Sequence, residues 1–334
     1  MRPFHSFQGR WTRSRLLSVA AGGLATVASM AAPSDAGVIT FGVGANQFQM
    51  DFVTIGNPGN APDTTGSPNP AGAVGYTYDI GKFEVSEDMI TKFNASQSLQ
   101  ITQSARGPNK PATTVSWNEA ARFVNWLNTS TGNPEAYKFT TGGVNDDIAL
   151  WASGDAGYDA SNPYRNSLAK YFLPNYNEWY KAAYYNPSDS TYYDFANGSN
   201  TAPTAVASGT TAGTAVYGGL SGPADVDQAG GLSPYGVMGL GGNAQEWEES
   251  SSNLAYGNVS DRRGSRGGNW NSSNNFLSSS FRNANFPVDQ VGTIGFRVAS
   301  LSSSSAAAVP EPGTLLLGTL LGLGGYLGKR RMKK

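Results

Sequence analysis

The sequence predicts an α+β domain with few and short helices, and three observations predict it. Two stretches carry a reciprocal helix cap followed by a 3.6-residue apolar period. Several others run apolar or alternate over strand lengths, and the spans between are rich in Gly, Pro, Asn and Ser. No internal repeat divides the chain, so one domain is expected.

Taken in order, VITFGVG and QFQMDFVTIG between Val38 and Ile55 read as strands, and the following GNPGNAPDTTGSPNPAG is turn chemistry throughout. GYTYDIGKFEVS places Tyr76, Tyr78 and Ile80 on one face and Thr77 and Asp79 on the other, a half-buried strand. Ser86 caps a short helix carrying Met89, Ile90 and Phe93. SWNEAARFVNWLN is the clearest helix: Ser116 and Glu119 form a capping box, and Trp117, Ala120, Ala121, Val124 and Leu127 share a face. LPNYNEWYKAAYY repeats the device with Asn175 and Glu178, turning Trp179, Ala182 and Ala183 inward. Residues 195–233 are mostly Ala, Gly, Thr and Ser, a long loop that something else must pin. RGGNW is a turn, and GTIGFRVAS is a final strand with Phe296 and Val298 on one face.

Composition narrows the chemistry. The 334 residues include 42 Gly and 18 Pro with 14% charged residues, which suits a loop-rich, folded, exported protein. There is no Cys, and the single His is His5. Beyond that residue no Ser-His-Asp triad, cysteine nucleophile, zinc site with N or S ligands, or facial iron triad can be built. Carboxylates, amides, hydroxyls and carbonyls are what is left, and hydrolysis by a carboxylate pair such as Glu246 with Glu248 stays open.

Both ends read as processing segments. Arg2, Arg10, Arg13 and Arg15 precede the apolar LLSVAAGGLATVASMAA and the small residues up to Ala36, so 1–36 is expected to be a signal peptide. At the far end a Ser/Ala linker, 300–309, leads to Pro310-Glu311-Pro312, the apolar TLLLGTLLGLGGYLG with five glycines, and the basic KRRMKK. The apolar run is short against the roughly 20 residues a spanning helix needs. Together these parts resemble the PEP-CTERM sorting signal of Gram-negative bacteria. The resemblance implies recognition of 310–334 by an exosortase, a transient inner-membrane anchor formed by a short transmembrane helix, and release to the cell surface or an extracellular polysaccharide matrix. Without both ends, 14 Lys and Arg face 22 Asp and Glu, a net charge of −8. That balance speaks against nucleic acid and leaves divalent cations and neutral sugars as partners.

Six landmarks fall in a familiar order: KFEVS (82–86), PATTVSWNEAARFVNWLN (111–128), YFLPNYNEWYKAA (171–183), YGVMGLGGNAQEW (235–247), RGGNW (266–270) and FRNANFP with GFRVA (281–299). Their order resembles the formylglycine-generating enzyme, or sulfatase-modifying factor, family, and implies a variant of the C-type lectin fold over 37–299. Catalytic members oxidise a substrate cysteine with a copper ion held by two cysteines after the RGGxW turn. Here that region is NSSNNFLSSSF, 271–281, and amides and hydroxyls are poor ligands for Cu(I). The resemblance therefore implies the fold without the thiol chemistry, and no copper or iron site is expected.

Calcium-binding members use the Gly-Asn-x-x-Glu-Trp turn. Carried over, this makes the Gly242 and Ala244 carbonyls and the Glu246 carboxylate Ca²⁺ ligands, with Gly239 standing where the family has an oxygen-bearing side chain. The alternative gives Glu246 a purely structural role. Asn269, Trp270, Asn271, Asn274, Asn275 and Arg282 combine amides, an aromatic face and a cation, the set that binds sugars. Arg282 and Arg297 are read either as clamps in a cleft or as buried carboxylate partners, and the strand position of Arg297 favours the second. The expected function is an exported, surface-associated protein that binds Ca²⁺, polysaccharide or both. The alternative is an enzyme of the formylglycine-generating type working by a cysteine-free, metal-assisted mechanism.

Overall fold

The computed structural model describes residues 35–302. The expected sorting signal, nearly all of the expected signal peptide and the linker beyond residue 302 lie outside these residues. Among the described residues no helix is long and apolar enough to cross a membrane.

Among the described residues thirteen strands and three α-helices alternate with long loops, so the expected α+β class holds. A five-stranded sheet, in the order β1-β2-β3-β13-β4, joins β1 (Asp35–Phe41), β2 (Phe48–Ile55), β3 (Tyr78–Gly81), β4 (Tyr171–Phe172) and β13 (Ala299–Leu301). A four-stranded sheet, in the order β11-β10-β9-β12, joins β9 (Gln245–Ser251), β10 (Arg263–Arg266), β11 (Asn283–Asn285) and β12 (Ile294–Gly295). Two small ribbons complete the set, β5 (Tyr185–Asn186) with β6 (Thr191–Tyr192), and β7 (Thr204–Ala205) with β8 (Thr214–Ala215).

Each predicted helix forms where its cap was read. Helix α1 (Glu87–Ser96) starts at Ser86, whose hydroxyl accepts from the Met89 amide. Helices α2 (Trp117–Ser130) and α3 (Tyr176–Tyr184) both carry complete capping boxes, each cap contributing about 1 kcal/mol. The apolar stripe of α2 is fully buried against β2, with Phe123 beside Phe48 and Phe296. Its asparagines do as much as its apolar residues. Asn125 accepts from the Ala136 and Tyr137 amides, and Asn128 from those of Lys170 and Tyr171, so two loops are clipped to the helix through buried amides.

Two readings change. Strand β3, with β2 and β13 as its sheet neighbours, is buried on both faces: Tyr78 and Ile80 pack in the cluster with Trp179 and Ala183, and Asp79 is almost fully covered and accepts from Thr54. The predicted final strand is split. Residues 296–298 leave the strand conformation so that β12 can pair parallel to β9 while β13 enters the other sheet. The chain thus crosses from one sheet to the other at Arg297, whose side chain is fully buried between them.

The long loop is pinned by its backbone. The Val216 carbonyl accepts from Asn243, Gly218 and Leu220 donate to Ser272 and Trp270, and Ser233 reaches Ala182 in α3. Such pairing, with Val216 and Ala224 packed on Ala244 and Trp270, lets an Ala- and Gly-rich segment hold a shape.

Candidate functional site

The GLGGNAQEW stretch is a junction. Gly242 takes φ +94°, and a Cβ there would overlap the Val216 carbonyl, so only glycine fits. Asn243 also has positive φ and uses its whole amide: Oδ1 accepts from Ala224, and Nδ2 donates to Glu84 at 2.8 Å. The three tryptophans nearby each anchor a different partner. Trp247 Nε1 donates to Val115, Trp117 Nε1 to the Glu248 carbonyl, and Trp179 Nε1 to the Glu246 carboxylate at 2.7 Å.

Alternation along β9 then sends Glu246 and Glu248 to one face and Trp247 and Glu249 to the other. All four are completely buried. Arg297 meets Glu246 with Nε and Nη2, at 2.6 and 2.5 Å. Glu248 is shared: Arg266 Nε reaches one oxygen at 2.6 Å, and Arg282 Nε and Nη2 reach the other at 2.8 and 2.7 Å. Both carboxylates are therefore neutralised by arginine, and a hydrolytic pair made of Glu246 and Glu248 has no free oxygen to offer a substrate.

On the opposite face Glu249 accepts from Tyr137 and Asn162, with Arg165 between it and Glu178. Burial pushes Glu249 up to about 7, offset in part by Arg165. Glu84 is pushed up to about 8, first by burial and then by the nearby Glu246 charge.

Glu84 was not singled out from sequence, yet it answers the question that Gly239 raises. A Cβ built on Gly239 would lie 3.0 Å from the Glu84 carboxyl. The space that a side chain at 239 would enter is held by a carboxyl from a different strand connection. The signal that points to it is the Glu inside KFEVS, an acidic residue between the apolar Phe83 and Val85.

The calcium ligand set does not fit these surroundings. Ca²⁺ takes roughly six to eight oxygens and is drawn to unneutralised carboxylate. Glu246 already accepts from Arg297 and Trp179, and Glu84 accepts from Asn243 and the Ala244 amide. An ion at the Gly242 and Ala244 carbonyls would have to displace a buried arginine from Glu246. Among the described residues no group of three or more acidic side chains is arranged to hold a metal ion.

The six residues expected to contact a ligand divide into two groups. Trp270 is only 4% exposed, packed with Val216, Ala224 and Ala244 and covered by the Arg106 guanidinium at 4.9 Å. Arg282 donates to Glu248 and to the Ser251 and Ser252 carbonyls, and Asn269 accepts from Asn271 N. These three hold the loop. Asn271, Asn274 and Asn275 are exposed, with Phe276 beside them 41% exposed and edge-on to Phe281. Arg297 is the buried carboxylate partner that its strand position favoured.

A family model for the sulfatase-modifying factor enzyme 1-like domain matches residues 42–301. Among solved structures, Treponema denticola variable protein 1 is similar over 79% of this chain and 99% of its own, at 20% identity and a TM-score of 0.52. CarF is similar over 75% of this chain and 98% of its own, at 18% identity and a TM-score of 0.51. These likenesses show the fold, the C-type-lectin-like arrangement expected from the six landmarks. No curated protein matches the chain.

Proposed function

We propose, for a chain that belongs to the sulfatase-modifying factor enzyme 1-like family, a non-catalytic role: binding a neutral, hydroxyl-rich polymer through the exposed amides after the RGGNW turn. The observation that carries this reading is the division of labour around β9. Every carboxylate of Glu246, Glu248 and Glu249 is buried and held by protein donors, while the segment in the family's cysteine-bearing region presents Asn271, Asn274, Asn275 and Phe276 to solvent. Amides supply paired donors and acceptors, and an exposed ring supplies an apolar face, the two elements of sugar recognition. The arginines below, Arg266 and Arg282, are paired with Glu248, so charge contributes little selectivity.

Export through the N-terminal segment, exosortase processing of the tail, transient residence in the inner membrane and a final place at the cell surface or in an extracellular polysaccharide matrix belong to the same proposal, supported by sequence alone. Matrix polysaccharide is then the polymer the domain would meet.

Titration of the full chain with matrix polysaccharides, by calorimetry or on a glycan array, tests the reading. Saturable binding that falls about tenfold in Asn274→Ala/Asn275→Ala supports it. No binding to any neutral glycan sinks it, and stoichiometric copper or iron in the purified chain would replace it with the enzymatic alternative.

A further inference from the structure

Helix α2 carries Arg122, Asn125, Trp126 and Thr129 at spacings of three and four residues, which puts them on one side of the helix. They line a cavity of about 190 Å³ between α2, the end of α1 and the loop at 135–139. That volume lies below the roughly 300 Å³ at which drug-sized sites begin, so the cavity takes a small group such as a single ring.

Its floor has nothing left to offer. Phe93 is buried, and the Asn125 amide is used up by Ala136 and Tyr137. The walls differ, because they keep unused groups on rigid supports. Trp126 is half-buried, its ring stacked on Phe48 at 5.8 Å and edge-on to Phe93 at 5.5 Å. Trp117, Trp179 and Trp247 each donate Nε1 to a protein oxygen. Trp126 Nε1 makes no hydrogen bond with any of the described residues, although the residue lines the cavity. Arg122 lies over the Phe139 ring at 3.8 Å and commits Nε and Nη2 to the carbonyls of Val144, Thr141 and Gly143. Both hydrogens of its Nη1 are left unused. Glu135 is exposed, and its carboxylate makes no hydrogen bond or ion pair with the described residues.

An aromatic ring, two unused donors and an unused carboxylate around one small cavity suit an uncharged ligand with an apolar C–H face and a rim of hydroxyls. The opposite charges of Arg122 and Glu135 leave no net charge to select an ion. We propose that this cavity is a subsite for one pyranose ring, the chemistry shared by a free sugar and a single residue of a polysaccharide. The ring packs against the indole and Leu99, hydroxyl oxygens accept from Trp126 Nε1 and Arg122 Nη1, and a hydroxyl donates to Glu135. This subsite does not rest on the amide face after the RGGNW turn.

Saturation-transfer NMR on the full chain, with the methyl pyranosides of glucose, galactose and mannose as probes, tests it. At least one is expected to bind, with its ring C–H protons saturated most strongly. Glu135→Ala should weaken that binding by about tenfold, and Trp126→Phe, which keeps a ring and loses the N–H, several-fold. Glu135 is exposed and unpaired, so its variant reads the contact without disturbing the fold. Asn274→Ala/Asn275→Ala should leave pyranoside binding here unchanged, which separates failure of the amide face from failure of this subsite. The tetrasaccharide of the bound sugar distinguishes the sources: a gain of about tenfold or more over the monomer assigns a polymer, parity a free sugar, and both support the subsite. No transfer to any of the three pyranosides, or transfer that Glu135→Ala and Trp126→Phe leave unchanged, overturns it.

Discussion

Strand β9 and the segment 271–280 are neighbours in the same half of the molecule and use polar residues in opposite ways. In QEWEESS every residue is buried, and each carboxylate is matched to an arginine or to tyrosine and amide donors. In NSSNNFLSSS five residues, Asn271, Ser273, Asn274, Asn275 and Ser280, are polar and exposed, and none carries a charge. The contrast teaches that polarity alone does not mark a binding surface. A carboxylate inside a sheet flanked by arginines fixes the crossing of the chain, whereas uncharged amides on a short 3-10 turn are free to meet a ligand.

Glu246→Ala breaks the first half of that contrast most severely. It strands Arg297 without its carboxylate and frees Trp179 Nε1, and it should cost about 3–5 kcal/mol in urea denaturation. The loss is expected to be equal in Ca²⁺ and in chelator; a loss specific to Ca²⁺ would move the carboxylate from Arg297 to an ion. Gly264→Ala comes next. Its new Cβ would overlap Arg282 Nη2 and Glu248 Oε2, so a melting curve should show a cost of about 1–3 kcal/mol.

The opposite face of β9 is read by pH. Glu249 is raised from its ordinary 4.5 to about 7, so the folded state keeps a proton that the unfolded chain releases. Its stabilising contribution is complete below pH 4.5 and is lost as pH rises through about 7. Glu84, raised to about 8, acts in the same direction. Glu249→Gln should therefore flatten the decline in stability between pH 5 and pH 8 by roughly 1–3 kcal/mol. An unchanged slope would place the titration elsewhere. The smallest stability effect belongs to the second region: Asn274→Ala/Asn275→Ala should shift unfolding by less than about 0.5 kcal/mol while weakening polysaccharide binding. A large stability loss there would mean that the amides hold the loop.

Much of the fold was legible. The capping boxes at Ser116 and Asn175 place two helices because their signal is local, four residues long and tied to an apolar period. The final strand was misread because Phe296 and Val298 alternate correctly while their backbone changes sheets, a choice made by β9 and β3 rather than by the segment. The candidate site was legible in part. Asn271, Asn274 and Asn275 reach solvent, but Trp270 and Arg282, near them in sequence, are turned inward by packing.

What the sequence by itself determined is the chemistry available and the local elements: a chain without thiol or imidazole beyond His5, helices set by caps, turns set by glycine, and six landmarks in a family order. Which carboxylate each arginine meets was decided by tertiary structure. Arg297 finds Glu246 across 51 residues, and Glu84 fills the space beside Gly239 from a segment 155 residues earlier. Such pairs depend on the register between distant strands, and no local pattern in either segment encodes the other's position.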